Sequence, residues 1–119
     1  MNKKISDKER LRHILDAISD IEEFTKGTSY KAFSNNKMMK LAVVRLIEII
    51  GEASTSLSDE LKDEYIDIEW PVLKGIRNIV VHEYFGINYT IIWSSIQKDI
   101  PPLKIKLQNI LKIKTGCNL

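Results

Sequence analysis

Between Lys37 and Leu57, eleven apolar side chains (Met38, Met39, Leu41, Ala42, Val43, Val44, Leu46, Ile47, Ile49, Ile50 and Ala53) leave a helical wheel little room for water. A strand cannot hold such a run, and a helix this apolar must be wrapped by others. The segment therefore predicts a central helix in an all-α fold. Its polar exceptions, Arg45, Glu48 and Glu52, recur at spacings of three and four and form one narrow stripe. The stripe either faces solvent, with Arg45 paired to Glu48, or lines a site and orients it.

The flanking sequence supplies the wrapping. From Ser6 to about Lys26, Leu11, Ile14, Leu15, Ile18, Ile21 and Phe24 fall at helical spacing, and Gly27 offers a stop. Thr28 or Ser29 caps a short turn through Phe33, and Asn35 or Asn36 caps the apolar helix. Ser58-Asp59-Glu60 opens a brief helix to about Glu64, and Tyr65 to Ile68 reads as extended. Trp70-Pro71 starts a helix carrying Val72, Leu73, Ile76, Ile79 and Val80 to about His82. Asn88 caps a helix with Ile91, Ile92, Trp93 and Ile96, which Pro101-Pro102 interrupts before Leu103 to Lys114 continues. The β-branched run Ile79-Val80-Val81 is not read as a strand, because no second alternating segment offers it a partner. The pattern predicts an antiparallel bundle of four to five helices forming a single domain over 1–119.

Composition narrows the function classes. With 44% hydrophobic and 29% charged residues in 119, the balance is that of an ordinary globular domain, small enough to gain from burial against a second copy. The charged opening from Lys3 to Arg10 is unlike a signal peptide, and no run approaches a membrane span, so a cytoplasmic protein with no membrane partner is expected. Cys117 stands alone, which rules out an internal disulfide or a thiolate cluster within one chain, and no metal or other cofactor is expected. A net charge of +2 means that contacts to nucleic acid must come from local clusters. Lys3, Lys4, Lys8, Arg10 and Arg12 form one; Lys98, Lys104, Lys106, Lys112 and Lys114 form another. Solvated helix faces are the commoner reading of such lysines.

Chemistry near neutral pH points to the histidines, of which there are two. His13 sits in the amphipathic first helix, where a surface or partly packed structural role is expected. His82 lies in Arg77-Asn78-Ile79-Val80-Val81-His82-Glu83-Tyr84, which gathers a guanidinium, an imidazole and a phenol within eight residues. By spacing alone an ordinary ion pair and a helix-end histidine explain the pattern as well as a site does. On a continuous helix Arg77 and Tyr84 share a face, whereas His82 stands about 140° from Arg77. Either the helix unwinds after His82, as Gly86 allows, or a second copy completes the site across a two-fold axis, with Ile79, Val80 and Val81 suited to the contact.

In its order and context, Arg77-x-x-x-x-His82-x-Tyr84 resembles the signature of the HepT-like branch of the HEPN superfamily. The resemblance extends to Lys8 to Leu15, Ile49-Ile50-Gly51-Glu52-Ala53, the Trp70-Pro71 start, Tyr84-Phe85-Gly86-Ile87 and Asp99-Ile100-Pro101-Pro102-Leu103. It implies a helical bundle that dimerises around a shared cleft. It also implies a metal-independent endoribonuclease toxin of a two-component toxin–antitoxin locus. The implied partner is a minimal nucleotidyltransferase similar to MntA, which transfers AMP from ATP to the motif tyrosine. On this sequence the resemblance makes Arg77 and His82 the catalytic pair and Tyr84 the modified residue; from the chemistry of the side chains, Tyr84 is also expected to position substrate, and Asn78, Arg45, Glu48 and Glu52 to support the site. The alternative is a non-catalytic helical subunit that binds nucleotide or docks a nucleotidyltransferase; weaker still is a purely structural bundle.

Overall fold

Each of the first five described helices begins on a serine or asparagine whose side chain takes a backbone N–H that the helix cannot bond itself. The computed structural model describes residues 6–70 and 88–115. Helix α1, Asp7–Thr25, starts at Ser6, whose hydroxyl accepts from the Glu9 N–H at 3.2 Å. It stops before Gly27, whose φ of +71° is the left-handed conformation that a side chain resists. Helix α2, Tyr30–Ser34, is capped by Ser29, and α3, Lys37–Thr55, by Asn36 at 3.0 Å from the Met39 N–H. Helix α4, Asp59–Glu64, begins at Ser58. Asn88 accepts from both Thr90 and Ile91 N–H groups to open α5, Tyr89–Lys98. Helix α6 runs Ile100–Thr115, and the all-α class expected from periodicity is the class observed.

The core is one apolar cluster. Helix α1 buries Leu11, Ile14, Ala17, Ile18 and Ile21 and packs on both α3 and α6. From α3 come Val43, Val44, Ile47 and Ile50; from α5, Ile92 and Ile96; from α6, Leu103, Leu107 and Ile110. Helix α5 lies against α6, and the five-residue α2 bridges α3 and α5. Phe33 provides that bridge. Its ring is fully buried, 5.0 Å from the ring of Trp93 and 6.2 Å from that of Tyr89 in an edge-to-face contact.

Four expectations are corrected. The apolar helix is not buried all round: Met38 is 81% and Leu41 56% exposed, and among the described helices it is α1 that packs on two long partners. The outer face of α3 meets none of the other long helices described, so these two side chains share it with Arg45 and Glu52. Residues 65–68 form a turn instead of an extended segment, because the Tyr65 carbonyl accepts from the Ile68 N–H at 3.2 Å and from Trp70 Nε1 at 3.1 Å. Finally, the break near Pro101-Pro102 falls at Asp99, and the prolines sit in the first turn of α6, where a missing N–H leaves no bond unmade. Helix α3 also ends at Thr55, two residues short of the expected Leu57.

Two polar ties hold distant parts together. The Asp7 carboxylate accepts from the Ser58 N–H at 2.9 Å and from the Ser58 hydroxyl, clamping the start of α1 to the start of α4. Lys104 on α6 reaches Glu22 on α1 at 2.7 Å.

Candidate functional site

Arg77, Asn78, His82 and Tyr84 lie outside the described residues, as do the helix expected from Pro71 to His82, Gly86 and Cys117. The structure does describe what flanks them. Trp70 is half-buried and fixed by its indole N–H to Tyr65, and Asn88 is committed to capping α5.

The supporting residues expected on the apolar helix are in view. Arg45 Nη1 lies 3.3 Å from Glu48 Oε2, one turn along the outer face of α3, and Glu52 follows, exposed. The pair is the one that the spacing predicts. With the Arg45 side chain 62% exposed, the pair adds little stability, well under about 1 kcal/mol. His13 is exposed on α1, as expected of a surface residue.

The two basic clusters differ in a way that the sequence does not show. Lys8 and Arg12 on α1 are exposed, while Lys3 and Lys4 lie outside the described residues. Near the end, Lys104 pairs with Glu22, Lys106 lies 3.9 Å from Asp67 and donates to its backbone carbonyl at 3.0 Å, and Lys114 lies 3.3 Å from Glu64. These three lysines tie α6 to α1, α4 and the turn after it. They are partnered structural groups more than a waiting phosphate site.

Around Tyr65 the electrostatics are local. Burial, followed by the neighbouring Glu64, raises the phenol above its ordinary pKa, and the Lys114 ammonium pulls the other way. A cleft of about 200 Å³ opens beside it, lined by Ile68, Asn109, Ile110 and Ile113 among others. A second cleft, about 290 Å³ and mostly apolar, lies between Phe24 and the first turns of α3 at Asn36, Met38, Met39 and Ala42. Among the described residues no three His, Cys, Asp or Glu side chains converge as metal ligands, and no helix is long and apolar enough to cross a membrane.

Sequence reasoning missed the aromatic corner where α2 meets α5. Tyr30 and Phe33 face Tyr89 and Trp93; the Tyr30 hydroxyl lies 2.9 Å from Thr90 Oγ1, and Lys40 Nζ sits 4.6 Å from the centre of the Tyr89 ring. Aromatic pairs three and four residues apart were the available signal, but nothing local says that two such pairs meet.

Comparison with known proteins places the chain in a family. The model of the family described as "Ribonuclease HepT-like" matches residues 14–110, a stretch that contains the Arg77 to Tyr84 motif. A Methanocaldococcus jannaschii protein named "Putative RNase" is 40% identical over 98 residues, covering 82% of this chain and 90% of its own. A Caldanaerobacter subterraneus protein of the same designation is 39% identical over 102 residues, covering 86% and 91%. A Thermococcus cleftensis protein named "Probable ribonuclease HepT" is 37% identical over 109 residues, covering 92% and 99%. No solved structure matches. With 97 of its 119 residues under the family model and several full-length relatives above 30% identity, this chain belongs to the ribonuclease HepT-like family.

Proposed function

We propose that this chain is a metal-independent endoribonuclease toxin, a single helical domain that works in the cytoplasm as a homodimer. The observation that carries the reading is the intact Arg77-x-x-x-x-His82-x-Tyr84 motif in a chain of this family. RNA brings its own nucleophile. The 2′-hydroxyl attacks the adjacent phosphorus, the new P–O2′ bond forms as the P–O5′ bond breaks, and a 2′,3′-cyclic phosphate and a 5′-hydroxyl result. The protein need only move two protons and steady the added negative charge.

His82 takes the proton from the 2′-hydroxyl, since imidazole has a pKa close to neutral. Arg77 holds the phosphate oxygens with a planar, permanently charged fork that lysine cannot reproduce. Tyr84 positions the nucleotide by stacking, and Asn78 with the Arg45–Glu48 pair supports the site. Because Arg77 and His82 point about 140° apart on a regular helix, a second copy supplying one of the two is the simplest way to bring them to a single phosphate. Static light scattering should therefore give twice the chain mass; a monomer mass at every concentration would remove the shared site.

Control falls to an MntA-like nucleotidyltransferase antitoxin. The Tyr84 phenolate attacks the α-phosphorus of ATP, pyrophosphate leaves, and the tyrosine gains a bulky anionic group where RNA phosphate would bind. Purified, unmodified protein should cut RNA to 2′,3′-cyclic phosphate ends in the presence of a chelator, and lose that activity when mass spectrometry finds AMP on Tyr84. RNA left whole by the unmodified dimer would overturn the reading.

A further inference from the structure

Charge is spread unevenly along the chain. From Phe24 to Ile47 there are five cations, Lys26, Lys31, Lys37, Lys40 and Arg45, and no aspartate or glutamate. The remaining 95 residues hold 13 cations against 16 carboxylates, so a protein of net +2 concentrates +5 in a fifth of its length and is acidic elsewhere.

Among the described residues, no carboxylate from another element is paired with this run. Helix α5, which packs on α2, has none from Asn88 to Lys98. Lys26, Lys31 and Lys37 are exposed and have no carboxylate partner among the described residues, and Lys40 rests on the Tyr89 ring rather than on an acid. The contrast with α6 is sharp, since three of its lysines are already paired. Within the run, among the described residues, Arg45 alone has a carboxylate partner, Glu48.

Along the chain an aromatic residue, Tyr30, stands among these cations, next to Lys31. Tyr30 is 40% exposed, although its hydroxyl is tied to Thr90 and its ring lies 6.3 Å from that of Trp93. A ring fixed at one edge and open to solvent loses little freedom when a base stacks on it, and every base has a face to offer. Ammonium groups beside such a ring match the alternation of phosphate and base along an unpaired strand.

We infer that the α2–α3 corner is a docking surface for single-stranded RNA, with Lys26, Lys31, Lys37 and Lys40 taking backbone phosphates and Tyr30 stacking on an unpaired base. The identity of the polyanion rests on the ribonuclease reading above; the position of the surface does not. The competing occupant is an acidic partner protein, which would meet the same charge.

The test uses a labelled 2′-O-methyl oligonucleotide, which lacks the nucleophile and cannot be cut, titrated with the full chain by fluorescence anisotropy at several salt concentrations. Joint replacement Lys26→Ala, Lys31→Ala and Lys37→Ala should weaken binding at least about tenfold and flatten the salt slope by about 2, the value for three phosphate contacts on a single strand. Tyr30→Ala should cost about tenfold, and Tyr30→Phe should recover most of that loss. Removing the exposed cations of α1 with Lys8→Ala and Arg12→Ala should change affinity by no more than about twofold, through screened long-range charge alone. Circular dichroism melts check that each variant stays folded.

A triple variant that binds with unchanged affinity and salt slope overturns the surface, as does a wild-type chain that does not bind at all. A triple variant that keeps RNA but releases an acidic protein partner assigns the corner to that protein instead. Wild-type protein that binds the strand yet leaves natural RNA uncut ends the ribonuclease reading and leaves the surface standing.

Discussion

Replacement of His82 by alanine is expected to slow RNA cleavage by about 10²- to 10⁴-fold, the usual contribution of a positioned acid or base. Without the imidazole, only water can take the 2′-hydroxyl proton. Arg77→Ala should cost about 10²- to 10³-fold, in line with the loss of one preorganised group that stabilises developing negative charge. Arg77→Lys should recover little of this, because a point charge cannot grip two phosphate oxygens at once. The double variant should be scarcely worse than His82→Ala alone, since residues that act as a unit do not contribute additively. Initial rates on a short RNA of defined sequence, with melting curves for each variant, separate lost chemistry from lost fold. A His82→Ala protein that cuts at the wild-type rate would remove the histidine from the mechanism.

Phe33→Ala is expected to have the largest effect on stability, about 3–5 kcal/mol. Domains of this size hold about 5–15 kcal/mol in all, so the variant should lose a large share of its stability. The reason is position as well as size. Helix α2 has five residues and cannot persist without tertiary contacts, and its only buried side chain is Phe33. Losing the ring leaves a hole facing Trp93 and Tyr89 and loosens the bridge between α3 and α5. Phe33→Leu should lose far less, about 1 kcal/mol, because it keeps most of the volume. Urea unfolding followed by circular dichroism gives both values; a shift below about 1 kcal/mol for the alanine variant would show that α2 is held by something else.

Five helix starts were legible because capping is local. Ser6, Ser29, Asn36, Ser58 and Asn88 each bond a backbone N–H two or three residues on, a relation that sequence spacing contains in full. The Arg45–Glu48 pair, three residues apart, was legible for the same reason. What periodicity lacks is any record of which elements arrive to cover a face. It places Met38 and Leu41 among apolar neighbours, but their exposure depends on where α1 and α2 end up. The alternation of Ile66 and Ile68 is equally true of a strand and of the turn observed, in which Ile68 is buried and Ile66 is 82% exposed. Lys104 and Glu22 are 82 residues apart, so only the fold turns a basic cluster into ties. The motif is the reverse case: order and spacing make it recognisable, and its role rests on chemistry that a string of letters can carry.

The packing of α1 against α6 sets the order in which the molecule can be finished during synthesis. Helix α1 is made well before α6, and its Leu11, Ile14, Ile18 and Ile21 cannot be fully shielded until Leu103, Leu107 and Ile110 have followed. A chain whose translation stops before α6 is thus left with an open apolar flank, a form exposed to aggregation and to chaperones.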